Sequence, residues 1–245
     1  MLKWFLAYGW ASSLERMALA TAVTVAFALL ARALRGVNRS GMFAGAAACL
    51  LLFVGAGPSA FATLAALFLL TWVSTRFGYR RKRELRVAER SDGRNAWQVL
   101  ANLAVPAVAS LVFSVTGNSI WLIAIAGALA EAATDTVASE VGESRGRVAL
   151  LITTWKQVAA GTDGGITVSG TIAGIIAGLL IAVVAAWVGL IPRSELWIPL
   201  VAGFVGMILD SVLGATLQRR RLLNNEAVNF AGTVAAAAIA YAITL

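Results

Sequence analysis

Twelve residues, "EAATDTVASEVG" (131–142), carry Glu131, Asp135 and Glu140 directly after the apolar run "SIWLIAIAGALA". One carboxylate at the centre of a membrane helix costs roughly 2.5–3.5 kcal/mol on insertion scales, so three together point to a use. Glu131, Asp135 and Ser139 follow an i, i+4, i+8 stripe, and Thr136 and Glu140 form a second. A second acidic segment, "MILDSVLGATLQ" (207–218), aligns Asp210, Gly214 and Gln218 with Gly206, and Ser211 follows the acid. Acids on two helices can hold a divalent cation, because Mg²⁺ takes oxygen ligands and keeps places for water and phosphate oxygens. Asp135, Glu140 and Asp210 are the expected metal ligands, with Glu131 behind them or structural. The same acids could instead pair with Arg or Lys, or serve a transporter as proton or ion sites.

An anion site is expected beside them. In "ITTWKQVAAGTDGGITVSG" (152–170), the glycines of "GTDGG" let backbone N–H groups point into an anion-binding concavity. Lys156 and Arg94 could neutralise phosphate charge. The loop is not a Walker A sequence, and its plain alternative is a re-entrant turn. Gly170, Gly174 and Gly178 form a small-xxx-small ridge, best explained by close helix packing. Two further polar segments, "SDGRNAWQVLAN" (91–102, with Gln98 and Asn102 four apart) and "NNEAVNF" (224–230), complete the set.

These segments need a scaffold, and the composition says which kind. Hydrophobic residues make up 60% of the 245 and charged residues 13%; the mean hydropathy is +0.82. Apolar runs recur along the whole length, so one all-α polytopic membrane bundle, residues 1–245, is expected. Spans read at about 15–34, 42–57, 58–77, 96–116, 119–141, 170–191, 197–217 and 228–245, near the ~17–25 residues a crossing needs. There are eight, or seven if one run does not cross. Residues 1–13, with two Trp and a Tyr, read as an interfacial segment. Cys49 is the single cysteine and histidine is absent, which excludes disulfides, Cys-based metal sites and His general bases.

The net charge of +8 is local. Seven of the 20 Lys and Arg residues lie in the loop 78–95, and others cluster around Arg35, Arg145 and Arg220. This is the positive-inside pattern of short connections facing the cytoplasm, suited to anionic headgroups and not to nucleic acid. The basic run at 80–90 therefore reads as a topology determinant. With loops 35–41, 78–95, 142–169 and 218–227 cytoplasmic, all five polar segments converge on one side of the membrane.

The order GR-x3-QVLAN, D-T-x-A-S-E-x-G, TT-x-K-x-V-x2-GT-x-GG, DS-x-LGA-x2-Q and NE-x-VN resembles an integral membrane family containing the phytyl-phosphate kinases of plants and cyanobacteria. The resemblance runs from about residue 40 to the C-terminus. It departs at Leu103, Ala159, Ala160 and Thr167, and at no charged position. It implies phosphorylation of a prenyl monophosphate, such as phytyl or geranylgeranyl phosphate, by a nucleoside triphosphate (CTP or ATP) with Mg²⁺. Matching positions imply catalytic roles for Asp135, Glu140, Lys156 and Asp210. They imply phosphate or substrate contacts from Arg94, Gln98, Asn102, Gly161, Thr162, Gly164, Gly165, Ser211, Gln218 and Asn229. A CTP:lipid-phosphate cytidylyltransferase is the alternative enzyme. A transporter or lipid flippase is the alternative of another class.

Overall fold

A computed structural model describes residues 13–89, 91–145 and 148–245. The helices are α1 (Ser13–Ala33), α2 (Arg39–Ala56), α3 (Pro58–Arg76), the short α4 (Tyr79–Glu84), α5 (Ala96–Thr116), α6 (Ile120–Arg145), α7 (Val168–Trp187), α8 (Trp197–Leu213) and α9 (Asn225–Thr244). Among the described residues eight helices are long and apolar enough to cross a membrane, and each matches an expected span within a few residues at either end. The interfacial segment expected at 1–13 lies outside the described residues, apart from Ser13, which starts α1.

Helix α6 is the axis of the bundle. Of its most apolar stretch 89% is buried, against 39% or less for the other seven spans. Its run of Ala124, Ala126, Gly127, Ala128, Ala130, Ala132 and Ala133 explains this position, because small side chains let neighbouring backbones approach closely. The glycine ridge of α7 uses that closeness. A Cβ on Gly170 would sit 2.4 Å from the Ala138 carbonyl, and one on Gly174 would sit 2.6 Å from that of Thr134. Close packing is thus the role of the ridge.

Two features of the polar end were not legible as local patterns. The loop after α6 folds into a three-stranded antiparallel sheet, β1 (Val148–Leu151) flanked by β2 (Gln157–Ala159) and β3 (Gly165–Ile166). Residues 160–164 are therefore a tight connection between two strands rather than a free loop. The second feature closes α8: Gly214–Gln218 continues the helix as a π turn, a wide turn often found at functional sites.

Candidate functional site

The polar ends of α6, α8 and α9, the sheet connection and the segment before α5 surround one cavity of about 350 Å³ that is open to solvent. All five polar segments contribute to its wall. Asp135, Glu140, Arg94, Gly161, Thr162, Gly164, Gly165, Asp210, Ser211, Gln218 and Asn229 line it, joined by Glu89, Thr136, Asp163 and Glu143. Asp135 and Asp210 come from different helices, and their charges act on one another. With the Asn229 amide assigned so that its nitrogen faces the neighbouring acceptors, Nδ2, one turn into α9, donates to Asp210 Oδ2 and to the Asn225 carbonyl, each at 3.1 Å.

The glycine connection is held against the π turn. Gly164 has φ +73°, and a Cβ there would lie 2.4 Å from the Ala215 nitrogen, so glycine is required for loop–helix contact. That is a packing reason, where the sequence pattern alone pointed to approach by an anion. Gln218 Nε2 closes the contact by donating to Asp163 Oδ1 at 3.0 Å. Desolvation at this wall pushes the Asp163 carboxyl above its usual value, and Arg219 offsets the shift in part.

Arg94 is fixed through its backbone. Its carbonyl accepts from Asn38 N at 3.0 Å and its N–H donates to the Gly36 carbonyl at 3.1 Å. The guanidinium then reaches Thr136 Oγ1 at 3.5 Å, with Nε 3.9 Å from Glu89 Oε2.

Several expectations need correction. Lys156 does not line the cavity; it is exposed beside Trp155 at the tip of the β1–β2 hairpin. Gln98 and Asn102 face a different cavity. Gln98 Oε1 accepts from Asn95 N in a capping box, while its Nε2 donates to both Glu89 oxygens at 3.3 and 3.1 Å. Asn102 Nδ2 donates to the Gln98 carbonyl at 3.0 Å. Gln98 thus shapes the start of α5 and holds Glu89 in place, and Asn102 bonds back to the turn before it.

Glu140 is the largest departure. Its Oε2 pairs with Lys82, and its Oε1 accepts from Thr75 Oγ1 at 2.7 Å. Lys82, from the run read as a topology determinant, is 0% exposed. Its ammonium also donates to the carbonyls of Thr75 at 2.8 Å and Ser74 at 3.3 Å, so its three donors meet three acceptors. The expected three-acid metal cluster therefore does not form, and among the described residues no three Cys, Asp or Glu side chains stand together as a metal site. Glu131 is 1% exposed, with neither oxygen hydrogen-bonded, wedged where Gly206 and Gly232 leave room for it.

The second cavity is an apolar groove of about 110 Å³ between α1, α2, α3 and α5. Phe27, Met42, Leu64, Phe68, Val99 and Leu103 line its length, and Arg35, Arg76, Glu89 and Arg94 stand at its polar end. Glu89 and Arg94 also line the polar cavity, so the two spaces adjoin there.

Residues 22–237 match the family described as integral membrane protein DUF92. The chain belongs to this family. DUF92 relatives are spread across distant lineages. The chain is 34% identical over 199 residues to an uncharacterized membrane protein of Synechocystis sp., covering 79% of this chain and 77% of the relative. It is 29% identical over 225 residues to an uncharacterized membrane protein of Methanocaldococcus jannaschii (91% and 92%). Protein VTE6, chloroplastic, of Arabidopsis thaliana is 27% identical over 203 residues (79% and 61%). No solved structure matches the chain with significance. The resemblance carried by the five motifs thus holds at the level of the family.

Proposed function

We propose that the chain is a membrane-embedded lipid-phosphate kinase, moving the γ-phosphoryl group of a nucleoside triphosphate, CTP first among the candidates, to a prenyl monophosphate such as phytyl or geranylgeranyl phosphate. The carrying observation is the meeting of an apolar groove and an acid-lined cavity at Arg94. A hydrocarbon tail gains about 0.8 kcal/mol per buried CH₂ in such a groove, while the cavity beyond is large and polar enough for a nucleotide. Family membership and the relationship to protein VTE6 support the same reading.

The chemistry asks little beyond positioning and charge. A phosphate oxygen of the acceptor attacks the γ-phosphorus, the bond to the β,γ-bridging oxygen breaks, and a nucleoside diphosphate leaves. The acceptor oxygen is already anionic near neutral pH, so no strong base is needed in a chain without histidine. Mg²⁺ fits the donor set, because the ion is usually held by one or two carboxylates with water and phosphate oxygens completing its shell. Asp135 and Asp210 would hold it, with Ser211 beside them. Bound there, it would neutralise charge on the transferring group. Arg94 orients the acceptor phosphate, Asn229 orients Asp210, and Glu140 stands outside the metal set because Lys82 holds it. On this reading the site faces the cytoplasm, since the basic connections gather at its end and the opposite connections carry Arg193 alone.

Purified protein with Mg²⁺, geranylgeranyl monophosphate and each nucleoside triphosphate tests the reading. Prenyl diphosphate with nucleoside diphosphate is the expected product pair. A nucleotidyl lipid with pyrophosphate would make the protein a cytidylyltransferase. No product with any nucleotide, alongside ion or lipid movement in liposomes, would overturn the enzyme reading.

A further inference from the structure

We infer that Arg35 and Arg76, standing with Arg94 at the polar end of the apolar groove, form a clamp for the phosphate of a single-chain lipid whose tail lies in that groove. The inference rests on the lipid-phosphate reading and specifies how that substrate is held. Arg35 and Arg76 sit close enough for their like charges to act on one another, an arrangement that an anion between them would relieve. Both line the groove together with Arg94. A phosphate held by the three would lie at the border of the polar cavity, with its tail running back along Phe68 and Leu103.

The local structure fixes the Arg35 backbone and the Arg76 side chain where α1 turns onto α3. Helix α1 ends with Gly36 N donating to the Ala31 carbonyl at 2.9 Å and Arg35 in the left-handed region at φ 53°. Non-glycine residues rarely adopt that conformation, so glycine would serve the turn at least as well as arginine. The Leu34 carbonyl accepts from Trp72 Nε1 at 3.1 Å and from the Arg76 guanidinium, which ties the turn to α3. Arg76 also lies over the Trp72 ring, 4.1 Å from its centroid. Its remaining donors are left for a ligand, since a guanidinium carries five. The room for a ligand inside the groove is about 110 Å³, below the ~300–1,000 Å³ usual for a drug-sized ligand, which favours one chain over the two of a bilayer phospholipid.

The test is direct binding without nucleotide. Geranylgeranyl monophosphate and geranylgeraniol are titrated against wild type, Arg35→Gly and Arg76→Gln in lipid nanodiscs. Arg35→Gly removes the charge while easing the backbone and should melt close to wild type, and Arg76→Gln removes the charge with a shorter polar side chain, so its melting temperature is measured beside its affinity. Each should weaken the monophosphate about ten-fold, as loss of one charge-assisted contact does, and leave the alcohol unchanged. Unchanged monophosphate affinity in both variants would overturn the clamp. Equal displacement of the ligand by phosphatidic acid in wild type would overturn its single-chain specificity. The two readings fail separately. A wild type that binds with this arginine dependence yet makes no diphosphate sinks the kinase and leaves the clamp. A wild type that makes diphosphate with the same lipid KM as both variants does the reverse. A wild type that binds no monophosphate sinks both.

Discussion

Between α1, α2, α3 and α5 the polar end of the bundle is an oily slot with arginines at its rim, whereas between α6, the sheet, α8 and α9 it is a hydrophilic cavity walled by acids and glycines. The two differ in what their walls can desolvate. Phe27 and Phe68 meet edge to face along the slot, and Phe27 meets Phe61 in the same way, so much of its wall is aromatic. The cavity offers carboxylates, hydroxyls and backbone, with few surfaces on which an alkyl chain would gain. On the proposed function, dividing tail from phosphates in this way would let one protein hold two dissimilar substrates and bring their reacting ends together where Arg94 and Glu89 line both spaces.

The same contrast appears along α6 itself. Glu140 is fully engaged by Lys82 and Thr75, and Glu131 is sealed between two glycines, while Asp135 opens into the cavity. Three of the four acids on α6 therefore have three fates, and the fourth, Glu143, lines the cavity with Asp135.

Replacing the cavity acids should separate the two halves most sharply. Asp135→Asn and Asp210→Asn should each lower turnover by about 10²–10³-fold, the scale for removing one preorganised electrostatic group, with geranylgeranyl monophosphate binding retained in a nucleotide-free titration. Near-normal turnover in either variant would remove that residue from the metal set.

Next in size is a structural effect. Lys82→Met leaves Glu140 buried without its counter-charge, which should cost about 3–5 kcal/mol and appear as a large drop in melting temperature. Adding Glu140→Gln should restore much of the loss. If the double variant melts no higher than the single, the ion pair is not what holds α4 to the bundle.

A smaller effect should mark the groove alone. A Cβ on Gly45 would meet only Val99 Cγ1, at 3.8 Å, so Gly45→Leu fits the helix and fills the slot. Lipid-phosphate KM should rise about ten-fold, by the loss of a few buried CH₂ contacts, while nucleotide KM holds. Equal changes in both would mean that the two spaces are not separate sites. Smallest of all is Lys156→Ala. With its side chain exposed at the hairpin tip, turnover should stay within about two-fold of wild type, since surface substitutions are usually worth ±0.5 kcal/mol. A loss of ten-fold or more would bring the hairpin tip into the site.

Much of this architecture was legible before any coordinates. Eight spans follow from hydropathy, because a helix in lipid satisfies its own backbone and each crossing announces itself locally, and the gathering of polar segments at one end follows from the basic connections. The acids were legible for the same reason: a carboxylate in an apolar run stands out.

What the local pattern could not decide was which charges meet. Lys82 and Glu140 are 58 positions apart and come together only because α4 folds back against α6. In the sequence Lys82 is one more member of a basic run, and Lys156 sits beside a glycine loop from which the β1–β2 hairpin carries it away. Gln98 and Asn102 turn towards the groove because the Asn95 cap sets the start and rotation of α5. Apolar periodicity and cost of burial are properties of a segment, and the sequence by itself determines them. Ion pairing, the walls of a cavity and the meeting of a groove with a polar site are properties of packing between segments, so only the tertiary structure decided them.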